Sequence, residues 1–386
     1  MLQARLDGAD PEFPVSLVEI EPPPLPTGEW ARVEVASGGI CGSDLAMIRP
    51  VGPRSALWGG LIGIPIEMGH EISGTVVEAG DDCDLAVGTL VAVDPIRSCV
   101  TRGLDPCPSC RAGVPSTCTR LDDPTHGRGW GHGFGRGVGG GWSQSLVAHH
   151  SQLHRVPDGV DATTAALTEP LAVALHGLLR TPLVPAAPTL VIGAGPIGLA
   201  AVAALGVLDP DIEVTVVARY RSQARAAEAL GAAATVIEPD HESLLEHLAG
   251  RVGASVLGGG DNASLKGGFA QTVDTVGNGT TVDLACRVTL ARGTVYEIGA
   301  PGIVTTDLSM LYRKELQMVG TLCYGHDHGP GGTLHTFDRA LAALAAGAFP
   351  SEVVVSHRFP LEQVREACET AFDKSTGALK VMLGPN

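Results

Sequence analysis

The chain has 386 residues, 44% of them hydrophobic, and a formal net charge of −16. That length suggests roughly two or three domains, with ample apolar material for their cores. The negative charge makes nucleic acid and anionic membrane surfaces poor partners. No stretch reaches the ~18 apolar residues that span a bilayer. The N-terminus lacks a basic segment leading into an apolar run, so no signal peptide is expected. Nine cysteines in such a chain read as thiols or zinc ligands rather than disulfides. The expected location is cytoplasmic.

Residues 1–165 read as β-rich. Trp30-Ala31-Arg32-Val33-Glu34-Val35 alternates apolar and polar side chains, the period-two pattern of a half-buried strand. Residues 72–77 and 89–93 are further β-branched runs, punctuated by Gly80 and Gly88. Many short strands with glycine punctuation suggest a partly closed barrel. Within this region Cys41-Gly42-Ser43-Asp44 sets a thiolate donor, a hydroxyl and a carboxylate side by side. Gly38 and Gly39, just upstream, are expected to let the backbone turn sharply. Gly69-His70-Glu71 places an imidazole next to a carboxylate. Each alone has an ordinary explanation, since free cysteine is often a small buried hydrophobe and Ser and Asp favour turns. With Glu169 further on, the ligand types suit a catalytic zinc, which keeps three protein ligands and one open position.

Residues 98–141 hold Cys99, Cys107, Cys110 and Cys118 among many glycines, with little that could form a core. Such a stretch needs a staple, which four thiolates closing on one zinc would supply; the alternative is a metal-free lobe with spare thiols. Residues 161–180 have helical spacing and are stopped by Pro182, Pro185 and Pro188. Glu169 lies there in an apolar surround, where a carboxylate is costly unless it is paired or bound to metal.

Residues 189–325 alternate strand and helix patterns, which implies a parallel sheet wrapped by helices. Strand patterns cover 189–192, 213–217 and 272–276, and helix patterns 197–205 and 221–230. Between the first strand and helix stand Gly193, Gly195, Pro196, Ile197 and Gly198. In a dinucleotide fingerprint the first glycine allows a tight turn, the second admits the pyrophosphate, and the third packs helix on strand. The amides at the helix start then receive the phosphates. Residues 253–268 read as an extra surface loop. Beyond them a helix is expected at 333–346, a strand at 353–355 and a helix at 361–371.

In this order, and with Gly140-Gly141-Trp142, Gly231-Ala232 and Lys314-Glu315-Leu316, the chain resembles the zinc-dependent medium-chain alcohol/polyol dehydrogenases, from Val15 to about Leu383. The resemblance implies an α/β protein. A chaperonin-10-like β-barrel catalytic domain would cover 1–165 and carry the zinc lobe at 98–141. A Rossmann doubly wound parallel sheet domain would cover 166–330, and the chain would return to the catalytic domain at 331–386. The reaction implied is zinc-dependent hydride transfer between a nicotinamide dinucleotide and an alcohol or polyol or its ketone or aldehyde.

Carried onto this sequence, the family's catalytic zinc falls on Cys41 and His70. Glu169 takes the later ligand position, and Glu71 is an alternative or exchanging ligand. Ser43 stands where the family places the hydroxyl that takes the substrate proton, and Asp44 would orient His70. Cys107-x2-Cys110-x7-Cys118 matches the last three ligands of the family's structural-zinc lobe. Cys99 lies eight positions before Cys107 where the family has three, so the extra residues would loop out. The acidic residue that NAD enzymes place on the ribose falls on Ala218, beside Arg219 and Arg221. A lost carboxylate beside two arginines suits a 2′-phosphate, hence NADP; the ordinary alternative is a pair of solvent-facing arginines. Met47, Trp58 and Trp130 fall at substrate-lining positions, while His326 and His328 read as loop residues. A homodimer or homotetramer follows from the family alone. Two further readings are a C=C or C=N reductase on the same scaffold and a non-catalytic NADPH-binding protein. The retained Cys41, Ser43, His70 and Glu169 speak against both.

Overall fold

The computed structural model describes residues 1–49, 63–237 and 240–385. The chain divides into two compact units. The first comprises Met1–Glu169, Tyr324–His326 and His335–Asn386; the second comprises Pro170–Cys323 and Asp327–Leu334.

The first unit is built on a long strand, Trp30–Ile40. Its alternating apolar residues bury Val33 and Val35 against Ile72, Val76, Val91 and Val93, as period-two patterning requires. In its seven-stranded sheet the order runs Leu153–Arg155, Leu90–Val93, Glu71–Ala79, Trp30–Ile40, Lys380–Gly384, Val355–Pro360, with Ser145–His149 also paired to Trp30–Ile40. A five-stranded sheet runs Val15–Glu19, Leu2–Leu6, Ile66–Glu67, Gly135–Arg136, Arg128–Gly129. A second core gathers Ala4, Leu6, Ile40, Met68, Trp142, Val381 and Leu383. Many short strands and glycine turns thus close a barrel-like unit, as expected.

The C-terminal strand matters most for the site. Lys380–Gly384 pairs antiparallel with Trp30–Ile40, setting Val381 opposite Ile40 and Leu383 opposite Gly38. That register carries Lys380 to the end of the strand that leads into Cys41.

Gly38 and Gly39 do not make the expected turn. They lie inside the strand, opposite Ile72 and Glu71. A Cβ on Gly39 would stand 1.8 Å from Glu71 Oε2, so the glycine is needed for close approach rather than for backbone freedom.

The second unit is a six-stranded sheet ordered Ala234–Val236, Val214–Val217, Thr189–Ile192, Phe269–Asp274, Thr289–Glu297, Gln317–Gly320. Every pairing in it is parallel. Numbered along the chain this is 3-2-1-4-5-6, the doubly wound dinucleotide-binding order, whose direction reverses between Thr189–Ile192 and Phe269–Asp274. The helix Pro196–Leu208 is buried through Ala200, Ala201, Ala203 and Ala204. Apolar residues on all its sides mark a helix enclosed by protein.

Several local expectations are corrected. Residues 253–268 are not a plain loop: Ser255–Leu257 and Ser264–Lys266 pair as a hairpin, with Leu265 and Ala263 buried in the core. The helix expected at 333–346 is Thr336–Ala345, preceded by a short strand, because the His335 side chain accepts the Phe337 N–H and starts the helix there. Residues 353–355 are mostly the end of the helix Ser351–Val354, and the strand is Val355–Pro360. The helical stretch at 161–180 is two helices, Ala162–Ala166 and Thr168–Leu179. No helix among the described residues is long and apolar enough to cross a membrane.

Candidate functional site

Cys41 caps the short helix Gly42–Ile48, and the Asp44 carboxylate accepts the Cys41 backbone N–H at 2.9 Å. The Cys-Gly-Ser-Asp run is therefore a helix start, which fixes where thiol, hydroxyl and carboxylate point. His70 enters just before the strand Glu71–Ala79. Its ring is buried, with Nδ1 3.3 Å from Asp44 Oδ1 and Nε2 3.3 Å from Ser43 Oγ. The Phe134 ring covers it at 4.5 Å, and Trp130 packs on Phe134 at 5.2 Å. Burial alone would pull the His70 imidazole down. Asp44, and then Cys41, outweigh it and hold the ring well above the usual histidine range. Asp44 beside Nδ1 favours the proton there and turns the Nε2 lone pair the other way.

The ligand atoms of Cys41, His70 and Glu71 all lie within 4.8 Å of one another. Their mixture of thiolate, imidazole and carboxylate is the donor chemistry of a catalytic zinc. Both Glu71 oxygens are also held by Lys380 Nζ, at 2.5 and 2.7 Å, and Lys380 reaches the Ile40 carbonyl at 3.3 Å. Burial would depress Lys380, but Glu71 and Cys41 outweigh it and raise its ammonium. Glu169, in the first turn of Thr168–Leu179, is buried close by but falls outside that close group. Burial pushes its carboxyl up to about 8; Glu71 adds to the rise, while His70 and Lys380 oppose it.

A second cluster gathers Cys99, Cys107, Cys110 and Cys118, again with all ligand atoms within 4.8 Å. Cys118 Sγ stands 3.6 Å from Cys99 Sγ and 3.9 Å from Cys107 Sγ. These separations exceed the ~2.05 Å of a disulfide. They match the ~3.8 Å edge of a tetrahedron with zinc–sulfur bonds of ~2.3 Å, so the thiols fit one closed zinc. The long interval before Cys107 does loop out, through the 3₁₀ turn Val100–Arg102 and a left-handed Gly103. It also delivers Arg102, a residue the sequence did not single out. Its buried guanidinium donates to the carbonyls of Arg97, Ser98, Leu121, Asp123 and Gly129. The lobe is thus tied by a cation as well as by its thiols. Only the spacing excess hinted at it.

In the second unit the fingerprint runs as expected from Thr189–Ile192 into Pro196–Leu208, with Gly195 as cap. A Cβ on Gly198 would meet Gly193 O at 2.0 Å, so helix and loop touch only because position 198 is glycine. A Cβ on Gly195 would meet nothing within 4 Å, which leaves open space for a phosphate over the helix amides. Ala218, just past Val214–Val217, is buried, while Arg219 and Arg221 are exposed. The Arg219 guanidinium lies over the Tyr220 ring at 5.6 Å. Gln223 accepts the N–H groups of residues 219 and 220, holding this strand end in shape.

Of the expected lining residues, Met47 packs against the core of the first unit, Trp130 lies one ring removed from His70, and Trp58 lies outside the described residues. His326 donates its backbone N–H to Gly113 O at 2.7 Å.

Two family models match the chain, the alcohol dehydrogenase GroES-like domain over residues 27–158 and the zinc-binding dehydrogenase over residues 196–346. A probable (R)-acetoin-forming diacetyl reductase of Saccharomyces cerevisiae is 30% identical, over 84% of this chain and 75% of its own. The chain belongs to the zinc-dependent medium-chain alcohol/polyol dehydrogenases. Among other members of this dehydrogenase family, a sorbitol dehydrogenase of Bombyx mori is 28% identical over 95% of both chains. A solved structure assigned as a zinc-binding dehydrogenase of Sinorhizobium meliloti 1021, bound to NADP, superposes with a TM-score of 0.77. It is 25% identical and covers 100% of this chain and 99% of its own. The fold is thus the GroES-like barrel joined to a Rossmann-type sheet, and the activity is that of an oxidoreductase on alcohols.

Proposed function

We propose that this dehydrogenase uses NADP(H) and one catalytic zinc to interconvert a secondary alcohol of a polyol or sugar acid with its ketone. The observation that carries the reading is the convergence of Cys41 and His70, with Asp44 fixing the His70 proton and the buried Glu169 carboxyl close by. Cys41 and His70 would hold the zinc through Sγ and Nε2. Glu169 is assigned the third position, because Lys380 already occupies both oxygens of Glu71. Bound there, zinc supplies Lewis acidity toward the substrate oxygen, and the nicotinamide supplies or accepts the hydride.

The chain's own residues do the rest. Ser43 Oγ, 3.3 Å from His70 Nε2, would set a hydroxyl beside the reacting centre that takes the alcohol proton as it passes its own to water. Asp44 keeps His70 oriented. Phe134, backed by Trp130, covers the ring and excludes water from that side. The glycine loop and the amides of Pro196–Leu208 take the pyrophosphate, and Arg219 and Arg221 take the 2′-phosphate. The NADP-bound relative supports that cofactor. The names of other relatives, sorbitol, L-galactonate and L-idonate dehydrogenases at 26–28% identity, support a polyhydroxy substrate.

The test is oxidation of a panel of polyols and sugar acids with NADP⁺ by the zinc-loaded enzyme. Cys41→Ala and His70→Ala should abolish turnover and leave NADPH binding within about twofold. Unchanged turnover in zinc-free His70→Ala would overturn the reading.

A further inference from the structure

Asp94, His154 and His335 meet in the first unit and share no residue with the two clusters already described. Asp94 follows the strand Leu90–Val93. That strand pairs with Leu153–Arg155, in which His154 lies opposite Ala92. His335 precedes the helix Thr336–Ala345. The ligand atoms of the three residues lie within 4.8 Å of one another.

Their hydrogen bonding is that of metal ligands. His154 Nδ1 is 2.7 Å from Asp338 Oδ1, which puts the ring proton on Nδ1 and leaves a lone pair on Nε2. That Nε2 is buried and has no hydrogen-bond partner among the described residues. A carboxylate on one ring nitrogen with the other left free is the arrangement seen in metal-bound histidines. His335 Nε2 stands 3.4 Å from Asp94 Oδ2, beyond a good hydrogen bond. Two ligands at ~2.1 Å from a tetrahedral ion are separated by about 3.4 Å. Asp94 Oδ1 accepts the Ile96 N–H at 2.8 Å, so the carboxylate is oriented with Oδ2 toward His335. The carboxyl is buried, where an ionised group needs a cation or donors.

We propose that Asp94, His154 and His335 form a further metal site, for a divalent ion of the zinc, cobalt or nickel kind. Two imidazoles and one carboxylate suit these ions, and three ligands of which one is an oxygen are too few for calcium. His326, whose ring centroid is 4.9 Å from that of His335, or water completes the shell. Coordination through His335 Nε2 moves the ring proton to Nδ1. It therefore gives up the long 3.3 Å cap bond from the Phe337 N–H, and the ion takes over the task of holding the helix start to the sheet edge. The site is structural, and its ligands lie far apart in sequence.

The experiment compares the full-length protein with His335→Asn and His154→Leu after loading with excess zinc and desalting. Asparagine keeps a helix cap, so His335→Asn holds the fold even where His154→Leu does not. Each folded variant should carry one zinc per chain fewer than the unmodified protein. After cobalt substitution His335→Asn should lose visible bands of nitrogen–oxygen coordination while keeping the thiolate-to-cobalt bands. Those thiolate bands report the cysteine sites separately, so their absence would speak against the cysteine assignments and not against this one. Equal zinc content and unchanged nitrogen–oxygen bands in His335→Asn would overturn the proposal.

Discussion

Lys380 Nζ holds both carboxylate oxygens of Glu71, at 2.5 and 2.7 Å, with both side chains shut off from water. The two residues are 309 positions apart, and the pair exists because the C-terminal strand lies beside Trp30–Ile40. It puts a cation next to the thiol and imidazole of the proposed zinc site, and it ties up one of two candidate carboxylates.

Removing one partner of a buried pair leaves the other charge uncompensated, which typically costs ~3–5 kcal/mol. Lys380→Met should therefore lower the denaturant midpoint strongly in zinc-loaded protein. Lys380→Met with Glu71→Leu should recover most of the loss, since an apolar replacement of both is often neutral. A single-variant loss below ~1 kcal/mol would mean that the pair behaves as a solvated surface one.

Asp44→Asn should weaken zinc at the Cys41–His70 site by about 10–100-fold, the usual effect of losing the carboxylate behind a ligating histidine. Competition against a chelator measures it. NADPH affinity, read by fluorescence, should not change.

The unmodified enzyme should prefer NADPH over NADH by at least about a hundredfold in kcat/KM, since each charge-assisted bond contributes ~1.5–3 kcal/mol and every 1.4 kcal/mol is about tenfold. Arg219→Ala with Arg221→Ala should erase most of that preference and leave NADH nearly unaffected. Both cofactors must be compared at one ionic strength, because the arginines are exposed and salt screens them. A preference for NADH in the unmodified enzyme would remove the phosphate from this strand end.

Cys107→Ser should release one zinc per chain and open residues 98–141 to limited proteolysis. The Cys107 thiol is held down at about 5. Burial opposes this, but the N–H groups of Cys110 and Thr119 outweigh it, so the thiolate is ready to bind at neutral pH. A zinc content and protease resistance both unaffected by Cys107→Ser would mean that the four thiols hold no ion and that Arg102 with its five carbonyls orders the lobe.

Glu297 ends a strand opposite Asp274 in the parallel sheet. Its oxygens are buried without hydrogen-bond partners among the described residues. Burial, and then Asp274, raise its carboxyl from 4.5 to about 8. The folded state therefore keeps a proton that the unfolded chain releases across that window, and stability from this group falls as pH rises from 4.5 toward 8. Glu297→Gln should flatten the fall and raise Tm at pH 9 by a few degrees, given roughly 2–4 °C per kcal/mol for larger domains. An equal slope of Tm against pH in both proteins would count against it.

The fold class, the glycine turn and the candidate ligands Cys41, His70 and the four lobe cysteines, which the structure gathers into two groups, are legible in the sequence because their motifs are local. Strand alternation from Trp30 follows from which face is buried. The turn at Gly193 and the helix start at Pro196 are written in neighbouring residues. The lobe's four thiols lie within 20 consecutive positions. The hairpin at 255–266 was missed because its strands have three residues each, too short to show a period. The break between Ala162–Ala166 and Thr168–Leu179 left no mark in the apolar pattern.

What only the tertiary structure decided is partnership between distant residues. Gly39 is glycine because Glu71 passes within reach of its missing Cβ, which a one-dimensional reading took for a turn. Lys380 finds Glu71, Arg102 finds five carbonyls, and Asp94 meets His154 and His335 only once strand order and register are set. Those depend on long-range pairing, in which a one-residue slip would turn every side chain to the other face. Residue types and short spacings specify which chemistry the chain can perform; the register of the sheet specifies which charges stand next to it.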